Sequence, residues 1–125
     1  MNIVALTGRL GADPVINNYK NEKNEDGDIV YFDLAVNSYG GGEEHTEWIH
    51  CKAWNKTAKN FFDIVKRGDL VEIEGAIRND RYTKDDVQIE KTFVVVKRFW
   101  VYKKNSDDQP LEKTKVEKEQ DEEEF

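Results

Sequence analysis

Cysteine occurs once in these 125 residues, at Cys51, which excludes an internal disulfide and a cysteine-rich zinc site. A lone cysteine among apolar neighbours reads as a buried structural thiol and fits a reducing compartment. Histidine occurs only at His45 and His50, in no arrangement that would activate a nucleophile. There is no phosphate loop, dinucleotide fingerprint or zinc-binding spacing. The expectation is a protein that is not an enzyme and needs no cofactor or metal, with a metal-dependent nuclease as the remote catalytic alternative. No apolar run approaches the ~20 residues that span a bilayer. The opening Met-Asn-Ile-Val-Ala-Leu is too short and uncharged for a signal peptide and reads as a strand. A soluble, cytoplasmic chain without membrane contact is expected.

Acids outnumber bases, 26 to 19, and the formal net charge is −7. Residues 103–125 hold five lysines against nine acids, a net of −4, leaving −3 for residues 1–102. The field in a groove follows the local arrangement of charge, so mild overall acidity does not exclude an anionic ligand held through few ion pairs. Residues 1–102 are long enough to bury one core unaided. From Lys103 apolar residues nearly vanish, and such a segment cannot repay its ordering entropy. The expected organisation is one domain over 1–102 and a disordered acidic tail over 103–125.

The most informative stretch present is Thr46-Glu-Trp-Ile-His-Cys-Lys-Ala-Trp54. Side chains on a strand alternate faces. Ile49, Cys51 and Ala53 then form a core face, and Trp48, His50, Lys52 and Trp54 share the wet one. Two indoles and a cation on a wet face suit a surface that stacks bases and holds phosphates. Outward tryptophans also suit a subunit interface, and the pattern alone leaves both open.

Other strands read over residues 3–10, 29–37, 71–78 and 93–102. Within 29–37, Val30, Phe32, Leu34 and Val36 point one way, and Tyr31, Asp33 and Asn37 the other. Val71, Ile73 and Ile77 form a second apolar set, with Gly75 permitting a bend. Residues 17–28 are polar and read as an exposed hairpin loop closing near Asp26-Gly27. Gly40-Gly41-Gly42 marks another loop, and a hairpin turn is expected at Lys84-Asp85-Asp86. Ala58, Phe61, Phe62 and Val65 share one stripe of a helix, with Asn55 as its cap, Lys66 and Arg67 in its last turn and Gly68 as its left-handed end. Three strands, a helix and two strands describe an all-β chain with one helix: the five-stranded Greek-key barrel of the oligonucleotide-binding (OB) fold.

Val4-Ala-Leu-Thr-Gly-Arg-Leu-Gly-Ala-Asp-Pro-Val-Ile16 resembles the opening of bacterial and phage single-stranded DNA-binding proteins. So do Phe32-Asp-Leu-Ala-Val-Asn37, Thr46-Glu-Trp48, Ala53-Trp-Asn-Lys-Thr-Ala58 and Lys66-Arg-Gly-Asp-Leu-Val-Glu-Ile-Glu-Gly75. The resemblance runs in register over about residues 2–100. It implies sequence-independent binding of single-stranded DNA during replication, recombination and repair, in the cytoplasm of a bacterium or a phage-infected host. It implies a homotetramer, and outward Tyr31 with unpaired strand edges makes some oligomer reasonable. Trp48 and Trp54, selected independently by alternation, match stacking positions of the family. The resemblance adds Tyr82 and, at the preceding loop, Tyr39. Candidate phosphate contacts are Arg9, Lys52, Lys56, Arg78 and Lys84.

The closing Asp121-Glu122-Glu123-Glu124-Phe125 resembles the family's acidic tip, which implies recruitment of replication, recombination or repair proteins. A terminal ring behind four acids would serve as an anchor for an apolar pocket with basic rims. Glu124 stands where the family usually has proline, and Asp85-Asp86-Val87 lacks its frequent Asp-x-x-Gly turn. The alternatives are an RNA-binding barrel or an adaptor barrel that binds protein only.

Overall fold

The computed structural model describes residues 1–105. Six strands and one helix follow in the order β1 (Val4–Leu10), β2 (Val15–Lys20), β3 (Asp26–Gly40), β4 (Glu43–Trp54), α1 (Asn55–Ile64), β5 (Leu70–Lys84) and β6 (Val87–Lys103). Hydrogen-bonded neighbours run β1-β5-β6-β4-β3, and β1 returns to β3 at Arg9 and Leu10, which closes a five-stranded barrel. All pairs are antiparallel except β4 with β6, joined in parallel at Cys51 and Lys52. Closure removes most sheet edges.

β2 is the strand that alternation misses, because its polar side chains face water on both sides. Asn17 to Lys20 pair with Ile29 to Asp26, so the stretch expected as a loop is largely a hairpin. Its turn falls at residues 21–25, before Asp26-Gly27. The Asn21 side-chain oxygen accepts the amides of Lys23 and Glu25, both at 2.9 Å, and Asn24 takes φ 63°. The second hairpin turns where expected, with Asp85 and Asp86 at φ 53° and 63°.

Leu10, Val30, Leu34, Cys51, Ala53, Val71, Ile73, Val94 and Val96 fill the barrel from alternating strand positions. Helix α1 lays Ala58 and Phe61 onto this core. Phe61 stacks on Phe32 at 4.1 Å between ring centroids and meets Phe99 edge-on at 5.0 Å. The helix ends at Ile64, and Val65 is already extended (φ −96°, ψ 135°). Lys66 and Arg67 therefore lie past the last turn, and Gly68 (φ +83°) serves the turn closed by the Asp69 amide on the Lys66 carbonyl. Asn55 does not cap the helix. Its side-chain oxygen accepts the Tyr19 hydroxyl and the Asp28 amide, and Trp54 occupies the N-cap without a side-chain bond.

β5 changes register at Glu74/Gly75, where a Cβ on Gly75 would lie 1.8 Å from the Val95 carbonyl oxygen. Past this bulge β5 leaves the core, so Ile77 is exposed while its partner Val94 on β6 stays buried. A second arm forms where β3 and β4 stay paired to Gly40 and Glu43. β6 continues to Lys103. Buried Asp69 then accepts the Asn105 and Lys66 amides, both at 2.8 Å, and the Lys104 ammonium. Order thus extends beyond Tyr102. Residues 121–125, the expected partner-binding tip, lie outside the described residues.

Candidate nucleic-acid interface

β4 presents the alternation its sequence implies. Cys51 and Ala53 are buried, Trp48 and His50 are exposed, and Lys52 and Trp54 are half-buried. Trp48 is 56% exposed. The outer edge of its six-membered ring reaches Gly11, where a Cβ would sit 2.5 Å from Cζ3. Any larger residue at that position would push the indole away. Trp54 leans on Phe93, with ring centroids 6.4 Å apart and planes tilted 53°.

Two open clefts meet on this face. One, about 590 Å³, runs from Trp48, Gly11 and Asp13 to Tyr31 and Asp33. The other, about 530 Å³, continues from Tyr31 and Asp33 past His50 and Lys52 to Asp80 and Phe93. Tyr31 and Asp33 belong to both, so the clefts form one groove across β3 and β4. Tyr31, outward on alternation and assigned there to an oligomer, is the ring at its centre. The register explains the grouping, since Tyr31 faces Lys52 and Asp33 faces His50 across the strands.

The groove is electrostatically mixed. Lys52 Nζ stands 4.1 Å above the Phe93 ring and 5.6 Å from that of Tyr31. It donates to Asp80 Oδ2 at 3.0 Å. His50 Nδ1 lies 2.5 Å from Asp33 Oδ1. Beneath them, burial first and the Asp33 charge second push the Cys51 thiol up to about 12.

Arg78, Tyr82 and Lys84 are exposed on the β5–β6 arm, on the same side of the strand as Asp80, which reaches the groove. Tyr39 is 63% exposed near the tip of the other arm. Lys56 is exposed in the first turn of α1. Arg9 goes elsewhere: it is buried, lines neither cleft, and donates through Nη1 to the Gly68 carbonyl at 2.8 Å. Asp33, Asp80, Lys91 and Phe93 join the groove without having been singled out by sequence. Alternation puts Asp33 outward, but Asp80, Lys91 and Phe93 arrive only through the β5–β6 pairing. Among the described residues no cluster of three or more His, Cys, Asp or Glu is placed to hold a metal ion. No helix there is long and apolar enough to cross a membrane.

A closed five-stranded barrel with a helix before its fourth barrel strand, and an aromatic groove across one face, defines the oligonucleotide-binding fold. Residues 1–102 match the Single-strand binding protein family, and the chain belongs to that family. It is 27% identical over 113 residues to a single-stranded DNA-binding protein of Thermosynechococcus vestitus, covering 88% of this chain and 89% of that protein. It is 33% identical over 103 residues to one from Lactiplantibacillus plantarum, covering 79% of this chain and 50% of the relative. Single-stranded DNA-binding protein A of Bacillus subtilis is 30% identical over 97 residues, covering 75% of this chain and 53% of the relative. The chain thus spans about half the length of the last two.

Proposed function

We propose that this chain binds single-stranded DNA along the groove, stacking bases on its rings with little regard to their identity. The observation that carries the reading is the exposed Trp48 indole opening onto the continuous groove through Tyr31, in a chain of the single-strand binding family. Base–aromatic stacking works for any base because every base has a π-face. Trp54, half-buried against Phe93, extends the surface, and Tyr82 and Tyr39 on the arms flank it. Lys52, Lys56, Arg78 and Lys84 meet phosphates; Arg9, held on Gly68, is left out of this role. Lys52 meets phosphate while still donating to Asp80, since an ammonium carries three donors.

The biological role that follows is protection of exposed strands during replication, recombination and repair, by a cytoplasmic homotetramer. The tip Asp121 to Phe125 recruits protein partners, its ring and carboxylates meeting an apolar pocket with a basic rim. Nuclease protection tests the binding. A labelled dT strand should resist a single-strand nuclease when the protein is added, while matched duplex is cut at its usual rate. Unchanged digestion of the single strand would refute the reading. Competition by poly-U ranks RNA against DNA.

A further inference from the structure

Asp33 is the one charged side chain that lines both clefts, and it stands beside the ring at the middle of the groove. Its carboxylate is more than half exposed, at 54%. Oδ1 is held by His50 Nδ1, and Oδ2 has no partner among the described residues. The cation across the strands from the Tyr31 ring, Lys52, is paired with Asp80 at 3.0 Å. A carboxylate repels phosphate and leaves bases unopposed, so the strand must pass this point with its bases inward. An ionised carboxylate only accepts hydrogen bonds. Cytosine and adenine offer exocyclic amino groups, and guanine offers adjacent ring and amino N–H donors. Thymine offers a single N–H between two carbonyl oxygens, which a carboxylate repels.

We infer that Asp33, positioned by His50, reads bases in the groove and favours amino-bearing bases over thymine. The inference rests on the single-strand reading above and adds a modest preference to its sequence-tolerant stacking. Lys52 and Asp80 neutralise each other, and the Asp13 carboxylate accepts the Arg67 amide at 2.8 Å. Asp33 is therefore the acceptor best placed to make this contact.

The test uses the full chain at one salt concentration and fluorescence anisotropy on two labelled strands of equal length. One is all thymine; the other carries cytosine at every third position, which adds the amino donor without adding a purine. The cytosine-bearing strand should bind tighter by about three- to tenfold, the low end of what a base contact discriminates. Asp33→Ala should bring the ratio to one and tighten binding to thymine, since a negative charge leaves the groove. Asp33→Asn, whose amide also donates, should remove or invert the preference. Equal affinities in the unaltered protein, or a cytosine preference that survives Asp33→Ala, overturn the inference and leave single-strand binding intact. Failure to bind either strand overturns both.

Discussion

Trp48 is costly to leave in water, and what holds it there is its contact with the backbone at Gly11 together with its place on β4. Because so much of the ring is already exposed, Trp48→Ala should leave the melting temperature nearly unchanged. It should weaken dT binding by ~1–3 kcal/mol, the worth of one stacked base, in a side-by-side titration with the unaltered protein. Trp54→Ala should also weaken binding but lower stability, because it removes the contact with Phe93. Cys51 makes a different prediction. Burial raises its folded-state titration from 9.0 to about 12, so a thiol reagent at pH 8 should modify it only after denaturation. The sign follows from linkage: a raised pKa gives stability that is complete below pH 9 and is lost as pH rises towards 12. Cys51→Ala should remove that part of the alkaline slope in urea melts. At this scale the sequence was largely readable, because alternation on β4 separates Cys51 and Ala53 from Trp48 and His50. Asp33 and Asp80 were not, since their roles depend on which strand lies opposite.

Among the elements, alternation located the strands that bury one face and missed β2, which buries almost nothing. The helix stripe was legible, but its ends were not. Asn55 has a good capping side chain, yet that side chain is taken by Tyr19 and Asp28 across the fold. Phe61 is the residue through which α1 is fixed to the barrel, stacked on Phe32 and edge-on to Phe99. Phe61→Ala should cost about 3–5 kcal/mol in chemical denaturation. Gly75 marks the place where β5 bends out of the core into its arm. A Cβ there meets the Val95 carbonyl, so Gly75→Ala should cost roughly 1–3 kcal/mol or more as backbone is forced aside. A Gly75→Ala protein as stable as the parent would show that the bulge tolerates what its geometry forbids.

For the whole molecule, the acidic balance argues for binding that leans on rings more than on ion pairs. Five cations stand in the groove, on the Asp80 side of the β5–β6 arm or in the first turn of α1: Lys52, Lys91, Arg78, Lys84 and Lys56. Each neutralised phosphate contributes about 0.7 to the salt slope for a single strand, so log K against log salt should be no steeper than roughly −3.5 per subunit. A much steeper slope would mean that cations outside the groove carry the strand. The barrel and its family were legible from ordered motifs along the chain, while the groove needed the β3–β4 and β5–β6 registers to assemble it. Because Lys104 and Asn105 are fixed to Asp69, a tail deletion should begin at residue 106. That truncation should keep strand binding and lose partner capture.

The most direct measurement is intrinsic tryptophan fluorescence during titration with dT strands, in the unaltered protein and in Trp48→Ala. Stacking predicts a saturable quench, a large share of which disappears with Trp48. Emission that stays constant in low salt under excess strand would contradict the groove as the place where DNA is held.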